Sequence, residues 1–138
     1  MTDNTGAAVA RAAEALVGVP FRLHGRDPRI GLDCIGLVAA ALRGAGRKVD
    51  PPAGYGLRNR DPADPDAIAR RCALLPARGP VRGGDILMVR PGPAQMHLLV
   101  CAGPDRFIHA HAGLRRVVAM PGPMPWPILR QWRPAEKD

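Results

Sequence analysis

The chain is predicted to adopt an α+β fold, with N-terminal helices packed on a C-terminal antiparallel β-sheet, because its hydrophobic period changes midway. Apolar side chains recur at helical spacing at Val9, Ala13, Leu16 and Val17, and again at Ile35, Val38, Ala41, Leu42 and Ala45. From Asp85 onward the pattern shortens into runs rich in Val, Ile, Leu and Met, each closed by Gly or Pro.

The first helix is expected over Ala7 to Val17, ended by Gly18 and Pro20. Pro20 to Leu32 then reads as a polar, basic loop. A second helix starts at Cys34, with Asp33 placed to cap its free amides, and runs to Arg43, where Gly44 and Gly46 permit a left-handed stop. Pro51 to Pro80 is rich in Pro, Gly and Asp and reads as irregular, apart from a short helix near Pro65 to Cys72 opened by Asp64. Strands are expected over Asp85 to Val89, Met96 to Cys101, Arg106 to Ala110 and Arg115 to Met120, which suggests an antiparallel meander. Trp126 and Trp132, in a Pro-rich tail, read as packing anchors.

Composition narrows the function classes. A chain of 138 residues, 46% apolar and 23% charged, is expected to be one folded domain spanning 1–138. The net charge of +8 comes almost wholly from arginine and favours anionic partners. Those arginines are scattered and not interleaved with aromatics, so nucleic acid is not expected as a partner. The three cysteines, Cys34, Cys72 and Cys101, form no CxxC pair, which argues against a disulfide framework or a zinc ribbon. The first residues, Met1 to Gly6, lack a basic region followed by an apolar core, so synthesis in the cytoplasm without a signal peptide is expected. The longest apolar run, Gly36 to Leu42, is too short to span a membrane.

The residues with most chemical promise are Asp33, Cys34, His97 and His109. A cysteine in the first turn of a helix meets the positive end of the helix dipole, which favours its thiolate; such sites can hold a thiol at roughly 3.5–7.5 when a cation helps. In Met96-His97-Leu98-Leu99-Val100-Cys101 both faces are apolar except at His97, which places that histidine on a central, buried strand in need of a partner. The following hairpin supplies one. A turn centred on Gly103 sets His97 opposite His109, and a turn centred on Pro104 sets it opposite His111. Either register brings a second imidazole to orient the first. Taken alone, a buried cysteine at a helix start such as Cys34 is more often a small packed hydrophobe than a nucleophile, and Cys72 and Cys101 read as core residues. A zinc site from His97, His109, His111 and Cys34 is the competing chemistry, weakened by the lack of an activating carboxylate at HExxH-like spacing.

Several of these segments together carry a resemblance. The lead-in Gly18-Val-Pro-Phe-Arg-Leu-His-Gly25, the helix start Asp33-Cys34-x-Gly36-Leu37-Val38, the run Gly84-Asp85-Ile86-Leu87, His97 with its apolar strand, and Phe107-Ile108-His109-Ala110 resemble NlpC-type cell-wall peptidases. Within that superfamily the chain most resembles the small tail-associated peptidases of phages and gene transfer agents. The resemblance implies a papain-like fold and hydrolysis of an amide bond in peptidoglycan stem peptides, typically between γ-D-glutamate and the diamino acid. By position it implies Cys34 as nucleophile, His97 as general base and acid, and His109 as the orienting third residue, which selects the Gly103-centred hairpin. It implies no metal and no organic cofactor, and it brings a phage-tail or gene-transfer-agent hub protein into view as a partner. Phe21, Arg22, His24 and Asp33 are the expected substrate-binding residues. The family usually has tyrosine where this chain has Phe21, and often serine where it has Ile35. A tail-hub docking module, or an acyltransferase or thioesterase on the same fold, are the alternative functions.

Overall fold

A computed structural model describes residues 5–49 and 64–136. Residues 51–63 of the irregular stretch expected over Pro51 to Pro80, and residues 1–4 of the segment Met1 to Gly6, lie outside the described residues.

Helix α1 spans Thr5–Glu14 and buries Val9, Ala10 and Ala13, so it starts and stops earlier than Ala7 to Val17. Residues 15–18 continue as turns, and Val19 meets Val117 through a backbone bond. The loop expected from Pro20 to Leu32 contains a small antiparallel ribbon, β1 Arg26–Asp27 and β2 Gly31–Leu32. Helix α2, Cys34–Gly44, is capped by Asp33 and buries Cys34, Ile35, Gly36, Leu37, Val38, Ala39, Ala41 and Leu42. A helix apolar on nearly all sides belongs inside a domain, and α2 packs against α1 and against the strands β5 and β6, with α1 also on β5. Helix α3, Pro65–Arg71, starts at Asp64, whose side chain accepts from the Asp66 N–H, and Pro65 tolerates the first helical position because its missing N–H has no intrahelical use there.

Six strands form one antiparallel sheet: β3 Leu74–Pro76, β4 Ile86–Val89, β5 His97–Gly103, β6 Arg106–His111, β7 Arg116–Pro121 and β8 Ile128–Pro134. The spatial order is β3-β8-β4-β5-β6-β7. The expected meander is thus β4 to β7, and it is extended on its first edge by β8 and β3, two strands absent from the sequence reading. β8 lies in the segment read as a Pro-rich tail. Its alternating burial puts Trp132 in the core, where the indole N–H donates to Asp66 across 2.8 Å and ties α3 to the sheet. Trp132 is therefore the packing anchor that the sequence suggests.

The hairpin register corrects an expectation. Val100 faces Ile108 and Cys101 faces Phe107, with an irregularity between Cys101 and Gly103. This is the Pro104-centred alternative and not the Gly103-centred one selected by the resemblance. The extra residue absorbed at the hairpin end is a bulge, which apolar patterning does not announce.

Alternation along the sheet separates two apolar layers. Val100, Ile108, Ala110, Ile86 and Met88 face the helices with Leu37, Val38 and Leu42, while Leu87, Val89, Leu99, Cys101 and Phe107 form a smaller cluster on the opposite side, covered by Met120, Met124 and Trp126. Cys101 is core, as expected, and Cys72 packs partly buried against the main cluster. Beneath the sheet, Asp85 is fully buried and receives Arg133 through two bonds of 2.8 and 2.9 Å, with Gln131 and the Arg82 N–H completing its shell. Such a shell is what a buried carboxylate requires.

Candidate active site

The N-terminus of α2 is held by one carboxylate. Asp33 Oδ1 accepts from the Gly36 N–H at 2.8 Å and from Arg26 at 2.7 Å, and Oδ2 accepts from the His24 N–H at 3.0 Å. One side chain thus caps the helix, anchors the ribbon and fixes the lead-in loop. Gly36 is part of the same joint: a Cβ there would collide with the Gly25 carbonyl oxygen, so only glycine lets the loop close over the first turn.

Cys34, the first residue of α2, is buried. Burial pushes its thiol up to about 12. The backbone amides of Leu98, Ile35 and Cys34 pull the other way, and the Asp33 charge adds to the rise. The expected thiolate-favouring environment is therefore reversed. The helix terminus acts in the anticipated direction, but desolvation outweighs it, and the capping carboxylate that positions the cysteine also opposes its ionisation.

The two histidines lie on neighbouring strands and meet. His97 Nε2 and His109 Nδ1 are 3.1 Å apart, with the rings nearly perpendicular at 84°. Carried onward, the observed register sets residue 109 beside residue 99 and residue 111 beside residue 97, so His97 reaches His109 diagonally. Diagonal neighbours on one face remain within reach of long or aromatic side chains. Burial, then the neighbouring His109 and His111, brings His97 down to about 4, and burial followed by His111 does the same for His109. Both rings are neutral at pH 7. Trp126 stands edge-on to both, its centroid 6.4 Å from His97 and 5.9 Å from His109.

These groups share a cleft of about 700 Å³ lined by Phe21, Leu23, His24, Asp33, Cys34, Ile35, Gln95, Met96, His97, His109, His111, Gly113 and Trp126 among others. The structure thus brings together Cys34, His97, His109, Phe21, His24 and Asp33. Arg22 is exposed and is not among the lining residues, because its neighbours Phe21 and Leu23 take the wall positions. Arg26 and Arg29, also in the basic loop, are paired with Asp33 and Asp27. Asp33 lines the wall with its oxygens already occupied.

Trp126 and His111 line the cleft beyond the catalytic and substrate-binding residues expected there. Trp126 packs against the smaller apolar cluster, as the sequence suggests, and also borders the histidines. His111, the alternative partner of His97 in the Pro104-centred hairpin, is in β6, half-buried, with its ring centroid 5.5 Å from that of His109. Its position two residues after His109 was the available signal, since strand side chains alternate faces. Among the described residues no group of three or more His, Cys, Asp and Glu side chains has the arrangement to hold a metal ion.

The architecture defined by these elements is the papain-like α+β fold of NlpC/P60 domains. NlpC1 from Trichomonas vaginalis matches with a TM-score of 0.71 and 20% identity over 100% of this chain and 46% of that one. A lipoprotein-like NLP/P60 family protein from Staphylococcus aureus gives 0.66 and 16%, over 99% and 43%. The NlpC/p60 domain of the peptidoglycan hydrolase SagA gives 0.58 and 24%, over 84% and 88%. The chain spans less than half the length of the first two. No protein-family model and no curated protein matches the chain.

Proposed function

We propose that the chain is a cysteine peptidase that hydrolyses amide bonds in peptidoglycan stem peptides, between γ-D-glutamate and the diamino acid. The observation that carries this reading is the shared cleft, in which the Cys34 thiol and the hydrogen-bonded His97 and His109 pair border one space. The likeness in fold to NlpC/P60 domains, one of them from a named peptidoglycan hydrolase, supports the substrate class.

The proton positions follow from the ring contacts. If His97 Nε2–H donates to His109 Nδ1, then His97 Nδ1 carries a lone pair and can take the thiol proton. The resting pair is neutral, since burial raises the thiol and lowers the imidazole. Proton transfer to His97 therefore accompanies attack of Cys34 sulfur on the scissile carbonyl. The Cys34 backbone N–H, in the first turn where amides lack intrahelical acceptors, helps to hold the oxyanion. His97 then protonates the leaving amine, a thioester forms on Cys34, and water deprotonated by His97 releases the acid.

An acyltransferase or thioesterase for long acyl chains fits less well. The cleft that Cys34 borders carries His24, Asp33, Gln95 and His111 along its wall besides His97 and His109, so it is not the long apolar groove such a substrate needs. The sequence resemblance to tail-associated peptidases supports a particle-borne setting, with a phage-tail or gene-transfer-agent hub as docking partner. Digestion of diaminopimelate-type peptidoglycan by wild type and Cys34→Ala, with fragments read by mass spectrometry, tests the reading. Cleavage confined to wild type names the bond. A folded wild type that cleaves nothing leaves the docking module as the better account.

A further inference from the structure

Of the polar side chains lining the cleft, most are already committed. Asp33 accepts three hydrogen bonds, and His97 and His109 bind one another. His24 and Gln95 are exposed. His111 differs from both groups, because it is half-buried and its ring is locked from one edge.

The lock has two parts. His111 Nδ1 accepts the Leu114 N–H at 3.0 Å, which closes the turn after β6 and leaves the ring proton on Nε2. Gly113 lies against the same edge: a Cβ built there would stand 3.1 Å from His111 Cε1 and 3.4 Å from Nδ1. The edge bearing Nε2–H therefore faces away from the turn, and His111 lines the cleft beside His109. A donor whose tautomer and ring plane are fixed beforehand loses little entropy on binding.

We propose that His111 is a substrate-binding, specificity-determining residue that donates its Nε2–H to an acceptor oxygen, a carbonyl or carboxylate of the bound peptide, at the His109 end of the cleft. The inference rests on the peptidase reading and adds a contact that the nucleophile and its base do not provide. A substrate with an oxygen at that distance from the scissile bond is selected over one with an amine or methyl group there, because the donor would otherwise be left unpaired in a half-buried site.

The test uses the Cys34→Ala protein, which binds without turnover, and a synthetic γ-D-glutamyl-diaminopimelate stem tripeptide as probe in calorimetric titration. His111→Phe keeps a ring and removes the donor; it is expected to weaken binding about tenfold, the size of one hydrogen bond. His111→Gln can both accept from Leu114 and donate into the cleft, and is expected to restore affinity to within about threefold. A merely structural role for His111 gives no such rescue. Gly113→Ala, which must displace the ring, is expected to weaken binding with residue 111 unchanged, and circular dichroism verifies the fold of each variant. Tripeptide binding undiminished in both His111→Phe and Gly113→Ala overturns this inference alone. No binding by the Cys34→Ala parent overturns the peptidase reading and the inference with it.

Discussion

His97 Nε2 lies 3.1 Å from His109 Nδ1 across two adjacent strands. In the tautomer in which His97 Nε2–H donates, His97 Nδ1 is the nitrogen available to a proton from Cys34. In the proposed mechanism His109 acts on the nucleophile only through His97, as a positioning residue. His109→Ala is expected to lower kcat by about a hundredfold with KM little changed, and His109→Gln, which retains an acceptor, to recover part of the loss. His97→Ala removes the base itself and is expected to cost about 10²–10⁴-fold. Steady-state kinetics on a defined stem peptide separates the two.

The acidities of the pair set the pH profile. His97 is held down to about 4, so the base is already unprotonated well below neutrality. The acid limb of kcat/KM is expected near pH 4, with a plateau through pH 6.5, where an unperturbed histidine would still be titrating. A limb centred near 6.5 would contradict the buried, neutral pair.

Stability follows the same groups with a definite sign. His97 and His109 bind protons less readily folded than unfolded, so their contribution is full above about pH 6.5 and declines as pH falls toward about 4. Cys34 has the opposite displacement. Its thiol stays protonated in the fold up to about 12, so stability declines as pH rises above about 9, where the unfolded thiol ionises. Denaturant melts between pH 4 and 10 should show the two declines on either side of a maximum, and His97→Gln should shallow the acid one.

Asp33 carries opposed duties that a pair of substitutions can separate. Asp33→Ala removes the acceptor for the Gly36 amide, Arg26 and the His24 amide, and is expected to destabilise the fold by about 1–2 kcal/mol or more. Asp33→Asn keeps an oxygen for the cap and deletes the charge that raises the Cys34 thiol. At pH 8 Cys34 of Asp33→Asn is expected to react with iodoacetamide faster than the wild-type thiol. Slower alkylation would show that the carboxylate promotes the thiolate.

The buried ion pair of Asp85 and Arg133 belongs to stability alone. Asp85 is fully inside the protein and Arg133 only partly exposed, so Arg133→Ala leaves a carboxylate with only Gln131 and the Arg82 amide for company. A loss of about 3–5 kcal/mol is expected in equilibrium unfolding, the range for stranding a buried charge.

The parts of this molecule that could be read from sequence are those set by local pattern. Asp33 before Cys34 announced a capped helix, and the apolar run around His97 announced a central strand, because capping and burial leave their signatures within a few residues. β8 was hidden for the opposite reason. Pro125 and Pro127 stand just before it and Pro134 ends it, and its pairing with β4 and β3 joins residues some forty to sixty positions apart. The hairpin register depended on an irregularity at Cys101 to Gly103, yet His97 still found His109, since side chains on one face tolerate a diagonal contact. The thiol's acidity departs from the expectation because a helix start is visible in sequence and the degree of burial around it is not. Trp126 was missed as a cleft residue because its neighbours in space come from β5 and β6.

The central claim is that Cys34 attacks the peptide carbonyl. Its most direct test is acid-quenched mass spectrometry of wild type mixed with a γ-D-glutamyl-diaminopimelate stem peptide, followed by mapping of the adduct. The account predicts a transient thioester on Cys34 whose mass matches the acyl half of the peptide, and no adduct or turnover in Cys34→Ala. Turnover that persists in Cys34→Ala, or an acyl adduct on another residue, would contradict it.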